Sequence, residues 1–421
     1  MRLPTTGVRT ARPLRPVLAA QASSTYGSFL NMVALGLFTL DVTGSTVQTG
    51  LFMAVRLAAG VLMAPIAGVL VGRYSRTGLM VTADLLSACV LVLLVLVPME
   101  AKPAVLYALA VVLGAGQAQW GVALRSGLPE LVEPEGLARA NAHLVAVRST
   151  AMLLGFGTSG LLVTLLGYHA AFLVDAASYV VSALLLTRVG SWRPAIAPAR
   201  ERPAGRPRGP RLSQALSGIA PVVLAMIAVR AADAFGSASH NVGLPVYASL
   251  TRPDAPASLA ALFTTAWAVG SLVVGRWFAW RAGRRNAEAS SPVAFGVATC
   301  AMSVLFVIAF TGPPLWLLAA VVVMAGMADG YAEISYTMRL QNVEPSRRAQ
   351  LFGLAAAVQN AGFGLGMIVG AFALGQFSPL PVVAAAHGLA LAVAVVFVIT
   401  HVRSRQSRPH RPVAQKVEVA P

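Results

Sequence analysis

Residues 78–98 read GLMVTADLLSACVLVLLVLVP, twenty-one positions carrying a single charge, Asp84. A helix needs about 20 apolar residues to cross about 30 Å of hydrocarbon, and this run meets that length. Runs of the same kind recur on both sides of it, at 16–41, 47–72, 103–125, 142–166 and 170–190, then at 217–247, 257–280, 292–311, 314–338, 350–376 and 379–402. The whole chain is 57% hydrophobic and 11% charged, with a mean hydropathy of +0.72. A water-soluble core has no use for so many unbroken apolar runs. The expected fold is therefore an all-α membrane protein with twelve transmembrane helices.

The formal charge is +17 over 421 residues. In a soluble chain that excess points to nucleic acid, but its placement here excludes that partner. Arg2, Arg9, Arg12 and Arg15, then Arg73 and Arg76, then Arg125 and Arg139 fall on one side of the apolar runs. The stretches Arg188–Arg211, Arg276–Arg285, Arg339–Arg348 and Arg403–Lys416 fall on the same side, whereas Lys102 and Arg252 fall on the other. Positive residues stay cytoplasmic. Both termini are expected in the cytoplasm of a multi-pass protein of the plasma membrane, which requires an even number of spans. The first run is too long for a signal-peptide core and is read as a retained helix. Cys89 and Cys300 both lie inside runs, which argues against a disulfide framework.

Four domains are expected: a six-helix bundle over 1–190, a cytoplasmic linker over 191–215, a second six-helix bundle over 216–402 and a basic tail over 403–421. The linker contains RERPAGRPRGPR, too rich in proline and arginine to bury a core. The two bundles repeat each other. Tyr26-Gly27-Ser28 matches Phe235-Gly236-Ser237, and Leu70-Val71-Gly72-Arg73 matches Val273-Val274-Gly275-Arg276. Val132-Glu133-Pro134 matches Val343-Glu344-Pro345, and Gly155-Phe156-Gly157 matches Gly362-Phe363-Gly364. Four matches in one order, at offsets near half the chain, indicate two parallel repeats about an axis along the membrane normal.

These residues carry a resemblance. Gly68-Val-Leu-Val-Gly72-Arg73-Tyr-Ser-Arg76 resembles the loop signature of the major facilitator superfamily, with Gly72 standing where that signature has aspartate. Leu128-Pro129-Glu130-Leu131 and Leu137-Ala-Arg139-Ala-Asn141-Ala resemble the branch containing the enterobactin exporter and related drug-efflux proteins. Gly155, Gly160 and Phe172-Leu-Val-Asp175-Ala fit that branch too. Phe156 departs from it, standing where the branch often has proline. The resemblance implies a secondary transporter working by alternating access, with spans one, four, seven and ten around a central cavity, and usually a monomer. It also implies a cytoplasmic latch from Gly68, Gly72, Arg73 and Arg76, for which Asp84 is the nearest substitute acid.

Ionisable groups inside a membrane are costly and are functional candidates by default. Asp329 and Glu333 lie four apart on one face of the tenth span, and Arg230 and Asp233 lie three apart on one face of the seventh. Two carboxylates on one face repel when both are charged, an arrangement suited to holding a proton. These four residues are the expected coupling site; the plain alternative is structural ion pairing, Arg230 with Asp233 locally and Asp329 and Glu333 with Arg230 or Arg148 across the bundle. Asn31, Gln117, Gln119, His240, Asn241, Tyr331, Gln359 and Asn360 are candidates for the substrate cavity. Arg56 and Arg148 are read as peripheral to it, each sealing an interface or facing the pore, and Asp41 and Asp175 as hydrated or capping near the outer surface.

No GxxxxGK[ST] loop, zinc pattern, CxxC or GxSxG elbow occurs, so neither ATP drive, an enzyme activity, a metal nor another cofactor is expected. The expected function is export of a small drug-like natural product or siderophore, by proton antiport. An importer or facilitator of a nutrient or siderophore is the alternative, and a non-transporting receptor or scaffold a remote one. The expected partners are the small substrate, protons and the lipid bilayer.

Overall fold

The computed structural model describes residues 14–44, 46–133, 136–193, 219–254, 256–282 and 291–406. The expected tail beyond Gln406, and the expected linker apart from residues 191–193, lie outside the described residues. Eleven continuous helical runs long and apolar enough to cross a membrane occur among the described residues. They are α1 (Leu14–Thr43), α2 (Thr46–Arg73), α3 (Arg76–Leu96), α4 (Lys102–Gly127), a long run Leu137–Thr187, α7 (Pro221–Thr251), α8 (Pro256–Ala282), α9 (Pro292–Ala309), α10 (Leu315–Gln341), α11 (Pro345–Leu374) and α12 (Pro379–Gln406).

The fifth run is 51 residues, about 76 Å at about 1.5 Å per residue, more than twice the bilayer core. It breaks at Gly167, whose φ of 78° and ψ of 175° are non-helical and need a residue without Cβ. We call its arms α5 (137–166) and α6 (168–187). Ser159 lies eight residues before Gly167 and Asp175 eight after it. Both meet the same turn of α1: the Ser159 hydroxyl donates to the Leu30 carbonyl, and Asn31 donates to Asp175. Arms that return to one level of one helix form a hairpin. The sequence places the same boundary at 166–170, and the single glycine explains it.

Helices α1–α6 pack on one another, as do α7–α12, and the two groups meet through α2 with α11, α5 with α8, and α10 with α4 and α5. Close approach within each group depends on glycine under a neighbouring carbonyl, the usual small-residue seam of membrane helices. A Cβ on Gly114 of α4 would sit 1.9 Å from the Arg56 oxygen of α2. One on Gly326 of α10 would sit 2.2 Å from the Trp267 oxygen of α8. Neither backbone oxygen has a flexible end that moves aside. Gly326→Val is expected to push α10 off α8 and leave no monodisperse protein after extraction in mild detergent. A wild-type elution profile and melting temperature would contradict this packing.

Apolar packing differs at the two ends of the bundle. At the arginine-rich end one cluster draws on both groups, joining Val71, Met80, Leu128 and Trp192 with Met226, Phe295, Tyr336 and Phe352. At the opposite end it divides. Leu30, Leu91, Leu106 and Phe172 form one cluster, and Leu244, Phe263, Phe306 and Val322 another. The groups are fastened at one end and separate at the other.

Candidate functional site

Three arginines and three carboxylates converge between the groups. On α7, Arg230 Nη1 donates to Asp233 Oδ2 at 2.6 Å, the i,i+3 spacing bringing them onto one face. Arg230 Nη2 donates to Glu333 Oε2 of α10 at 2.7 Å, and its Nη1 lies 3.5 Å from Asp329 Oδ1, one turn away on the same face of α10. Arg125 of α4 reaches the other Glu333 oxygen at 2.7 Å. Arg148 of α5 lines a small cavity with Asp329, Glu333, Ser149 and Ser271. The six formal charges cancel, which limits the cost of holding them inside the membrane.

The two carboxylates of α10 are held differently. Glu333 is engaged on both oxygens by guanidinium groups from different helix groups, so it ties α4 to α7. Asp329 has one long contact and keeps 22% of its side chain accessible, against 15% for Glu333. Within this cluster Asp329 is the most accessible and least tightly paired carboxylate. The spacings of Arg230 with Asp233 and of Asp329 with Glu333 are legible in the sequence. Arg148 is legible only as one possible partner of the latter pair across the bundle, and it is exposed into this cavity. Arg125 is not legible, since it reads as a loop cation.

Several expected cavity residues are engaged elsewhere. Gln119 is buried and donates to the Leu79 carbonyl of α3, because its face of α4 turns to α3. Gln117, two residues earlier, is exposed. Asn31 donates to Asp175 at 2.6 Å, and Asp175 is 1% exposed. The expectation that Asp175 is hydrated near the surface is thus corrected: α6 turns it inward onto Gly27 of α1, where a Cβ would meet its Oδ1 at 2.4 Å. Asp41 is exposed, as expected. His240 sits 3.0 Å, Nδ1 to Nε2, from His387 of α12 and stacks on Phe306 with ring centroids 4.1 Å apart. It belongs to the α7–α12 contact, with Gly236 beneath His387 as Gly27 is beneath Asp175. His387 was not anticipated, although the repeat that matches Gly27 to Gly236 supplies the signal for it. Asn241 donates to the Ser237 carbonyl of its own helix, and Tyr331 packs on Trp277 and Phe278. Gln359 and Asn360 are half-buried on α11.

The expected latch takes another form. Arg76 pairs with Glu130, which also accepts from the Trp192 indole, while the Arg76 backbone N–H donates to the Trp192 carbonyl. Asp84 is not the partner of Arg73 or Arg76. It lies deeper along α3 and accepts from Ser182 of α6 at 2.6 Å. Gly68 does lie at a close approach, where a Cβ would come within 2.9 Å of the Ala349 oxygen of α11. Gly72 faces open space, and Arg73 is exposed. The groups are joined here by Asn141 donating to Gln341 at 2.6 Å, and by Gln341 donating to the Arg125 carbonyl at 3.0 Å. Gln341→Ala removes both bonds, each worth about 1 kcal/mol. A lower melting temperature in detergent is expected, and an unchanged one would leave this seam without energetic weight.

The sequence pattern of the Major Facilitator Superfamily matches residues 17–337 and 226–420. The chain belongs to that superfamily. It is accordingly a multi-pass membrane transporter of a small substrate, not a member of an enzyme family. A superfamily relative, the uncharacterized MFS-type transporter y4rN of Sinorhizobium fredii (strain NBRC 101917 / NGR234), is 26% identical over 373 residues, 84% of this chain and 86% of that protein. Among solved structures, a bacterial homologue of the iron transporter ferroportin in an outward-facing state with soaked iron superposes with a TM-score of 0.72 at 16% identity. The match covers 94% of this chain and 100% of that one. The superfamily transporter FucP in its outward conformation gives 0.69 at 16% identity, covering 92% and 98%. At that identity the likeness is one of fold.

Proposed function

We propose that this superfamily member is a secondary exporter of a small organic molecule, driven by proton antiport, in which the six-charge cluster couples proton to substrate. The observation carrying the reading is the asymmetric grip on α10. Glu333 bridges Arg125 and Arg230 across the helix groups, while Asp329 faces the cavity on one long contact. A proton arriving at Asp329 removes one negative charge from a balanced set. Arg230 and Arg148 are then under-compensated, and the bridge through Glu333 is redistributed. That is a physical link between protonation and the joint between the groups.

In this reading the chain has twelve spans in two six-helix halves, α1–α6 and α7–α12, and both termini are cytoplasmic. The distribution of arginine supports that orientation. The shared core at the arginine-rich end and the divided core opposite then describe an outward-open state. Export, and the efflux branch, rest on the motifs at Leu128–Leu131 and Leu137–Ala142. Uptake of an anion is the second reading, favoured by Arg148, whose guanidinium is exposed in the cavity while Arg230 is committed to carboxylates. Among the described residues no group of three His, Cys, Asp or Glu side chains is placed to hold a metal ion.

The test compares metabolites inside and outside cells lacking the gene, complemented cells, and cells complemented with Asp329→Asn. Export predicts a compound trapped inside the deletion strain and released only by the wild-type protein. A compound left outside and depleted only by the wild-type protein would overturn the direction in favour of uptake.

A further inference from the structure

A groove of about 490 Å³ runs down the flank of the bundle where α5 meets α8, with α1 closing its far end at Tyr26. Its walls are small: Ala142, Ala146 and Ala151 of α5 face Gly275 and Ala279 of α8. The α5 residues lining it run from Ala142 to Leu154, about 18 Å of helix at about 1.5 Å per residue. One leaflet contributes about 15 Å of hydrocarbon, so the trough has the length of an acyl chain.

The rim of the groove at the arginine-rich end is cationic. His143 and Arg276 line it, and Arg139 stands one turn before His143 on α5, all three exposed. Among the described residues that line the groove none carries a carboxylate. Trp277 and Trp280 are exposed on the adjoining turns of α8. Exposed tryptophans mark the headgroup level of a bilayer. An apolar trough of acyl length therefore ends, at headgroup depth, in two arginines and a histidine, with no carboxylate among its described lining residues.

We propose that this groove is a binding site for an anionic phospholipid from the leaflet on the arginine-rich side. One acyl chain lies along the alanine trough, and the phosphate sits on Arg276, His143 and Arg139. The lipid is wedged between α5 and α8, which come from different helix groups. The opposite face of α5 carries Arg148 to the charge cluster, so the site adjoins the coupling machinery without sharing its residues.

Native mass spectrometry of the full chain, in micelles doped with phosphatidylglycerol or phosphatidylcholine, tests this. The wild-type protein is expected to retain one phosphatidylglycerol in preference to phosphatidylcholine. Arg276→Gln should lower that retention about fivefold, and combining it with Arg139→Gln and His143→Gln should abolish the preference. Thr150→Phe, at an exposed groove position, fills the trough and leaves the cations in place. It should lower retention of both lipids at an unchanged melting temperature, and so carries the test if the triple variant fails to fold. Equal retention of the two lipids by the wild-type protein would overturn the proposal, as would a preference that survives the triple variant. Displacement by glycerol phosphate as readily as by intact lipid would also overturn it, marking a site for a soluble anion.

Discussion

Proteoliposomes carrying Asp329→Asn will show no proton-driven flux above empty liposomes, while insertion, yield and melting temperature stay close to wild type. The asymmetry follows from the contacts. Asparagine is nearly isosteric with aspartate and replaces a carboxylate whose one ion pair among the described residues is 3.5 Å long, so little stability rests on the charge. What it removes is the one carboxylate of the cluster that water in the cavity reaches and that is not locked between two guanidinium groups. Exchange of substrate against substrate, with no proton gradient, is expected to survive. Retained gradient-driven flux in Asp329→Asn would move the coupling role elsewhere.

Glu333→Gln will behave differently, because it breaks a bridge and leaves Asp329, the proposed proton carrier, in place. Glutamine cannot satisfy Arg125 and Arg230 with charge at both oxygens. Removing one partner of a fully buried ion pair costs about 3–5 kcal/mol; here Arg230 keeps Asp233 and Arg125 is 33% exposed, so the loss is smaller. The loss falls on the joint between the helix groups at the arginine-rich end. Ser126 reports on that joint: it is fully buried, and its carbonyl lies 3.5 Å from Arg348 Nη1 of α11. In a background with Cys89 and Cys300 replaced by serine, Ser126→Cys should be nearly inert to a polar maleimide and become reactive once Glu333→Gln is added. Equal, slow labelling in both backgrounds would show that the bridge does not hold the end closed.

The all-helical membrane fold was legible because span length is set by the bilayer, and the break at Gly167 falls where the sequence separates the runs 142–166 and 170–190. The pairings of Arg230 with Asp233 and of Asp329 with Glu333 were half legible. Helical spacing puts each pair on one face, but spacing says nothing about which neighbour that face meets. That is why Arg125 reads only as a loop cation, and Arg148 as one possible partner among others, although both come to α10 from the other helix group. Asp84 and Asp175 show the same gap. Their depth along the helix was readable, but the rotation that turns one to Ser182 and the other to Asn31 is fixed by packing. The repeat held a further signal that went unused, since the position that opposes Gly27 in one group is occupied by His387 in the other.

The central claim is that protonation at the charge cluster moves the two helix groups about their shared core. Two spin-label distances test it most directly, one across the divided end between Leu40 and Leu250, and one across the arginine-rich end between Tyr74 and Asn342, all four exposed. Acidifying the sample is predicted to change the two distances in opposite directions, and Asp329→Asn is predicted to abolish both changes. Distances that move together, or a pH response that persists in Asp329→Asn, would contradict the account.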